Sequence, residues 1–529
     1  MFNLNAEFNI QRSFFFQSIE EQLDPNNRYV VLSKKIDWET LVKEVSSHYS
    51  PIGRPTLPLR LMLGLNIIKF IENLSDERVI QMYMENPYVQ FFCGSIEYSS
   101  DVPCSNAMLS IFRNKIGEEG CSLILRESTC IHGEKALEDD VIVDTTAQIK
   151  DITYPTDIKL LIKVAIKCRK IAKKYSIHLK NTYKDQLKEL IKTIRFEKSS
   201  KKQKEIRKAK RRIRTIAGRL VRELKRKLLP EQLSDNEKDI QIFEKVLEQS
   251  SPNKKDYYHI AQETYDLICD AIEMLQNICD ECEIKIVKKT IDKMDTLHEQ
   301  YKNSHGTGKR KSVQESIKGL KSVCNSLIKK IERHLPQDEQ MQAHIQNELT
   351  KIAEMLSPTK DSRIYSIHEP EVGCITKGKA GVAHEYGSKA AICVTKTSGI
   401  IVGVGNFEGN PHDSNTMQPT IDNVQETTNH MPVNCYADRG FKGSQKKAQD
   451  VNVCLPSTPT DDMSKEEQDE ARFNFGRRSS IEPIIGHVKS DHRLQKTYLA
   501  GRRGDQINLI LSCAAFNFKK WINHQVSNE

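Results

Sequence analysis

Val141-Ile142-Val143-Asp144-Thr145-Thr146 reads as a buried central strand carrying a carboxylate at its end. Three consecutive β-branched apolar residues suit a pleat covered on both faces. Helical periodicity precedes this stretch, with Met108, Leu109, Ile111, Phe112 and Ile116 at three- and four-residue spacing. The chain therefore changes here from helices to a sheet. Tyr154-Pro155 breaks the run soon afterwards.

The sheet pattern resumes only after Pro358. Ala390 to Val394 and Ile400 to Phe407 predict a hairpin around Thr397-Ser398-Gly399. Pro411-His412-Asp413 leads into a helix ending near Asn429, with Asp413 read as its cap. Val433 to Ala437 predicts a strand that ends at Asp438, within Cys435-Tyr436-Ala437-Asp438-Arg439-Gly440. A short helix from Ser444, a strand from Val451 to Leu455 and helices from Ser464, Ser480 and Gln506 complete the order. Strands alternating with helices in this way predict a mixed α/β sheet.

Upstream of the first strand, residues 1 to about 125 read as short helices joined by tight turns. Pro58 opens one over Leu59 to Glu72 and Ser75 caps the next. Such an arrangement suits a helix-turn-helix reader of DNA or a dimerisation module. Between the two sheet segments, residues 157 to about 356 read as about five long helices. Ile213, Ile216, Leu220, Leu224 and Leu228 form an apolar stripe for packing between them.

Length and composition bound the classes. A chain of 529 residues exceeds one ordinary core, so two or three domains are expected. Its longest apolar run, Leu61 to Ile71, is too short to span a bilayer. No basic region followed by an apolar stretch opens the chain, which predicts a cytoplasmic protein. The fourteen cysteines lack a regular framework, and Cys279 and Cys282 have no second pair at zinc spacing. Net charge is +9, but Lys159 to Lys227 holds 27 Lys and Arg against 5 Asp and Glu. The rest of the chain is therefore acidic on balance, and this one segment is suited to a polyanion.

Three acids stand out chemically: Asp144, Asp438 and Glu482. Phosphodiester cleavage at neutral pH needs an activated water and neutralisation of the scissile phosphate, and two divalent ions about 3.5–4 Å apart supply both. Mg²⁺ takes hard oxygen ligands, so carboxylates on rigid elements are the expected holders. Pro483 directly follows Glu482 and is tolerated only in a first turn, which puts the helix start at Ser480. Lys489, seven residues on, then falls on the face of Glu482, within reach of a phosphate. Arg477 and Arg478 precede that helix and are candidates for the DNA backbone. Asp140, Asp151 and Asp157 lack the strand-embedded setting of Asp144.

The chain resembles insertion-sequence transposases of the DDE superfamily. Their signature around the third acid is Tyr, two residues, Arg, three residues, Glu, six residues, Lys. Phe475, Arg478, Glu482 and Lys489 stand at those spacings, with Phe in place of Tyr. The Tyr436-Ala437-Asp438-Arg439-Gly440-Phe441 segment resembles the family's second-acid region, and Val143-Asp144-Thr145-Thr146 its first. Residues 53 to 120, with Gly53-Arg54-Pro55-Thr56-Leu57-Pro58-Leu59-Arg60 and Ser110-Ile111-Phe112-Arg113, resemble its N-terminal domain.

The resemblance implies an α+β multidomain protein. A helical N-terminal DNA-binding or dimerisation domain (1–130) would precede an RNase H-like α/β catalytic core (131–158 and 358–529), interrupted by a basic helical insertion (159–357). It implies Mg²⁺, with Mn²⁺ as a substitute, held by Asp144, Asp438 and Glu482. Arg478, Lys489, Arg477 and Arg439 would contact DNA phosphate. The implied partners are terminal inverted repeats and target DNA, bound by a homodimer in the cytoplasm at the nucleoid. Two alternatives share these residues: a nuclease of the same fold without strand transfer, and a non-catalytic DNA-binding derivative. A purely helical scaffold leaves the strand-borne acids unexplained.

Overall fold

The computed structural model describes residues 18–50, 56–195, 203–250, 254–305, 309–334, most of 341–352, 363–376, 384–456 apart from 447 and 449, and 464–526. Met1 to Gln17, Gly53 to Pro55 of the N-terminal motif, and the end of the helical run before Pro358 lie outside them. The chain divides into two compact units, Met1–Pro155 with His368–Glu529, and Thr156–Ile367.

The first unit opens with helices α1 (Ile19–Gln22), α2 (Arg28–Lys35), α3 (Trp38–Ser46), α4 (Leu59–Ile71), α5 (Asp76–Glu85), α6 (Pro87–Phe92) and α7 (Asn106–Cys130). Side-chain caps explain the tight turns. Asn27 accepts from the Tyr29 amide, Asp37 from Thr40, Ser75 from Arg78 and Asn86 from Tyr88. Each satisfies a backbone donor that a helix start leaves unpaired. Helix α4 is buried nearly all round, as its run of Leu and Ile requires.

Strand β1 (Asp140–Lys150) follows, and the chain then enters the second unit. There the described helices are α8 (Asp157–Lys174), α9 (Lys184–Arg195), α10 (Gln203–Lys227), α11 (Pro230–Asp235), α12 (Glu237–Gln249), α13 (Lys254–Glu281), α14 (Lys288–Ser304) and α15 (Arg310–Glu332). They exceed the five expected, because breaks such as Ser176 at φ +54 carry no Gly or Pro to mark them. The stripe Ile213, Ile216, Leu220 and Leu224 of α10 is buried against Leu161 and Val164 of α8 and Phe243 of α12. The opposite face of α10 exposes Arg207, Lys208 and Arg211. A separate core joins α13, α14 and α15.

Back in the first unit come β2 (Gly373–Thr376), β3 (His384–Thr395), β4 (Ile401–Phe407), α16 (Met417–Thr428), β5 (Asn434–Tyr436), β6 (Asn452–Cys454), α17 (Lys465–Arg478), α18 (Ile481–Asp491), β7 (Lys496–Thr497) and α19 (Gly501–Val526). The sheet runs β2-β3-β1-β5-β6, with β4 on β3 and β7 on β1. Pairing of β1 is antiparallel to β3 and parallel to β5, so the sheet is mixed, as its element order predicts. The short helix expected from Ser444 is a single 3₁₀ turn, and β2 and β7 were not foreseen.

Alternate residues feed two cores. Ile142, Ile392 and Val404 join the N-terminal helices, Ile481, Ile485 and α19 on one face. Val141, Val143, Cys393 and Val402 meet Met417, Ile421 and Val424 of α16 on the other. Each fully buried Val or Ile of this kind contributes ~1.5–3 kcal/mol. At Gly387, opposite Ile149, a Cβ would come within 1.9 Å of the Gln148 carbonyl, so the β1–β3 contact admits only glycine there.

β1 does not stop near Thr146. It continues to Lys150, with polar Gln148 and Lys150 buried. Lys150 Nζ lies 2.7 Å from Asp505 Oδ1, and Gln148 Nε2 donates to the Asp505 carbonyl at 3.0 Å, so α19 gives each of these buried donors an acceptor. All fourteen cysteines are free. Among the described residues, no helix is long and apolar enough to cross a membrane.

Candidate active site

The longer β1 places Asp144 mid-strand and not at a strand end. Its neighbour β5 pairs Val141 with Cys435 and Ile142 with Tyr436, then stops. Two residues beyond that last pair stand Asp144, still within β1, and Asp438, just past the end of β5. Asp438 opens a 3₁₀ turn, Arg439–Phe441, and its Oδ1 accepts from the Gly440 amide at 2.8 Å.

The third acid comes from α18, which packs against β1. Ser480 stands just before this helix, as expected, but with helical φ/ψ of −64° and −17° and no side-chain capping bond. The reason is that α17 runs almost directly into α18, with Ser479 and Ser480 between them. Glu482 occupies the first turn and is exposed, and Pro483 is accommodated beside it. Arg478 ends α17, largely buried, with Nη2 3.6 Å from Glu482 Oε1.

Electrostatics ties the set together. Burial pushes the Asp144 carboxyl up to about 6; the negative charges of Asp438 and Glu482 add to the rise, while the Thr145 amide and Arg478 oppose it. The donor set is oxygen only, which fits a hard divalent cation. Among the described residues, no three His, Cys, Asp or Glu side chains are gathered tightly enough to hold a metal ion. Asp144 thus lies within electrostatic reach of Asp438, Glu482 and Arg478, but the three carboxylates do not form a closed ligand set.

The remaining sequence candidates separate. Lys489 lies in the last turn of α18, half-buried. Arg439 is exposed beside Asp438. Arg477 turns away and donates to the carbonyls of Lys396 and Thr397 at 2.8 and 3.3 Å, tying α17 to the β3–β4 turn. Asp140 is engaged by Lys396 and Asn434, both at 2.9 Å.

Asp413 is the residue that spacing undervalued. It does not cap the helix: Thr416 stands at the N-cap of α16, and Asp413 lies in the 3₁₀ turn before it (Asp413–Asn415), which His412 caps by accepting from the Ser414 amide at Nδ1. The Asp413 carboxylate instead accepts from Thr145 Oγ1 at 2.8 Å and pairs with Lys389 at 2.6 Å. A Cβ on Gly440 would meet Asp413 Oδ2 at 2.7 Å and Asp438 Oδ1 at 2.9 Å. Gly440 therefore leaves room for two carboxylates to approach one turn, and Asp413 touches the neighbours of both Asp144 and Asp438. The sequence holds only one signal for this, a His-Asp pair before a helix.

Residues 17–115 match the family described as "Transposase domain (DUF772)", and residues 359–518 the family described as "Transposase DDE domain". An uncharacterized protein, ORF8 in the nfe locus of Rhizobium meliloti, is 33% identical over 182 residues, which is 33% of this chain and 86% of that protein. No solved structure matches the chain.

Proposed function

The chain belongs to the DDE superfamily of insertion-sequence transposases, and from that premise we propose that it binds the terminal inverted repeats of its element, cuts there to free a 3′-OH, and joins that hydroxyl to target DNA. Asp144, Asp438 and Glu482 would hold Mg²⁺ or Mn²⁺. When bound, such ions supply an activated water and neutralise charge on the scissile phosphate.

The protein's own groups do the rest. Arg478, the largely buried last residue of α17, would hold a phosphate oxygen by its charge and fork of donors. Lys489 and Arg439 extend that grip to either side, while Arg477 acts by fixing α17. Asp413, through Thr145 and Gly440, positions the strand and turn that carry two of the acids. The basic face of α10 contacts DNA without regard to sequence. Residues 131–158 and 358–529 are read as an RNase H-like core, 159–357 as its DNA-contacting insertion, and 1–130 as the domain that reads the repeat and pairs two copies.

The observation that supports this most is the placement of the acids: Asp144 and Asp438 each lie two residues past the Ile142–Tyr436 pair, and Glu482 opens the helix that packs against β1, 3.6 Å from Arg478. Strand transfer separates the reading from a nuclease of the same fold. A pre-cut, labelled element end should join to a supercoiled plasmid in the presence of Mg²⁺. Cleavage of the uncut end without any joining would favour the nuclease.

A further inference from the structure

A cleft of about 720 Å³ lies where α4, α5 and α7 meet the segment joining α18 to α19. Its walls carry the cations Lys69, Arg113, Lys489, Arg493 and Lys496 against a single carboxylate, Asp76. That carboxylate is already engaged, with Arg113 at 2.7 and 2.8 Å and Lys69 at 2.7 Å. Lys496 pairs at the rim with Asp151, and both are about half-exposed. Lys69, Arg113 and Arg493 thus outnumber the one carboxylate that lines the cleft. The crowding is visible in Lys69, which burial and the Arg113 charge bring down to about 8.

The mouth of the cleft holds an aromatic ring in the open. Tyr498 is 62% exposed, with Lys496 Nζ 5.4 Å and Arg493 Cζ 5.8 Å from its centroid. Arg493 has φ +70, a conformation that costs about 1–3 kcal/mol in a non-glycine residue. It is held there by bonds across the cleft. Arg493 donates to the Asn73 carbonyl at 3.3 Å, Asn73 donates to the Ser490 carbonyl at 2.9 Å, and His492 meets the Phe70 carbonyl at 3.1 Å. The N-terminal helices are thereby clamped to the end of the helix that bears Glu482.

Cations beside an exposed ring match a nucleotide, whose phosphate takes the charges and whose base takes the ring face. We propose that this cleft is a strand-binding subsite: it takes a phosphodiester of the DNA strand leaving the candidate active site, between Lys489, Arg493 and Lys496, with an unpaired base stacked on Tyr498. The assignment rests on the transposase reading of the same chain.

The test uses the full-length protein and a labelled oligothymidylate of about 12 nucleotides. Replacing Arg493 and Lys496 together (R493Q with K496Q) should weaken binding at least tenfold and lower the slope of log K against log salt by about 1.4. Tyr498→Ala should weaken it about tenfold with the slope unchanged, and Tyr498→Phe should bind as wild type. In the unmutated protein the oligomer should protect Lys496 from acylation, read by mass spectrometry, which needs no variant to fold. Wild-type affinity and slope in the double variant, or equal acylation of Lys496 with and without oligomer, would overturn the assignment. So would equal protection by millimolar inorganic phosphate, which would make the cleft a phosphate site. Metal-dependent cleavage at the element end is read separately, so its loss in wild type removes the transposase reading and not merely the cleft.

Discussion

Asp144 and Asp438 each stand two residues beyond the Ile142–Tyr436 pair of adjacent parallel strands, the first within β1 and the second just past the end of β5. β1 runs on past this point and β5 does not. The acids' neighbours Thr145 and Gly440 both meet Asp413. The strand and the turn that carry these two acids thus share one neighbour, the Asp413 carboxylate.

Asp413→Ala should lower cleavage roughly 10–100-fold, the usual effect of removing a group that orients the metal-holding residues. Terminal-repeat binding, measured by gel shift, should be unchanged. Lys389→Met should give part of the same loss, because Lys389 pairs with Asp413 at 2.6 Å. Full activity in Asp413→Ala would remove its positioning role.

The Asp76 cluster should dominate the acid stability of the first unit. Burial raises the Asp76 carboxyl, but the Arg113 hydrogen bonds and the Lys69 charge outweigh it and hold the carboxyl at about 2. A depressed folded-state pKa contributes stability that is present above the unfolded value, about 3.9, and is lost as pH falls towards 2. Asp76→Asn should flatten that part of the stability–pH curve. At neutral pH it should cost about 3–5 kcal/mol in urea unfolding, because Lys69 and Arg113 are left buried at 5% and 2% exposure without their counter-charge. An Asp76→Asn curve that overlays the wild type would exclude this account.

Gly387→Ala should destabilise the first unit by about 1–3 kcal/mol or block its folding, since the new methyl would meet the Gln148 carbonyl of β1. Circular dichroism melting measures this. A Tm within error of wild type would mean that β1 and β3 are spaced more widely than their register here.

Neutralising Arg207, Lys208 and Arg211, all on the exposed face of α10, should weaken duplex binding for every sequence alike. The slope of log K against log salt should fall by about 0.9 for each phosphate contact removed. An unchanged slope would show that this face is merely solvated.

The two parts of the site differed in how far the sequence revealed them. Val141 to Val143 announce a buried strand through β-branching, and Phe475, Arg478, Glu482 and Lys489 announce the third acid through spacing. These are local signals. The continuation of β1 to Lys150 was hidden because Gln148 and Lys150 look like surface residues until Asp505, more than 350 positions away, is beside them. Asp413 read as a cap for the same reason: its partner Thr145 is 268 positions distant. Arg477 and Arg478 look equivalent in the chain, and only packing sends one to a hairpin turn and the other to the carboxylates.

The most direct test is cleavage of a labelled terminal inverted-repeat duplex with Mg²⁺, comparing wild type with Glu482→Gln. The account expects metal-dependent nicking at the element end by wild type. In the variant it expects a loss of at least about 10²-fold with DNA binding retained. Binding without cleavage by the wild-type protein, or undiminished cleavage by Glu482→Gln, would contradict it.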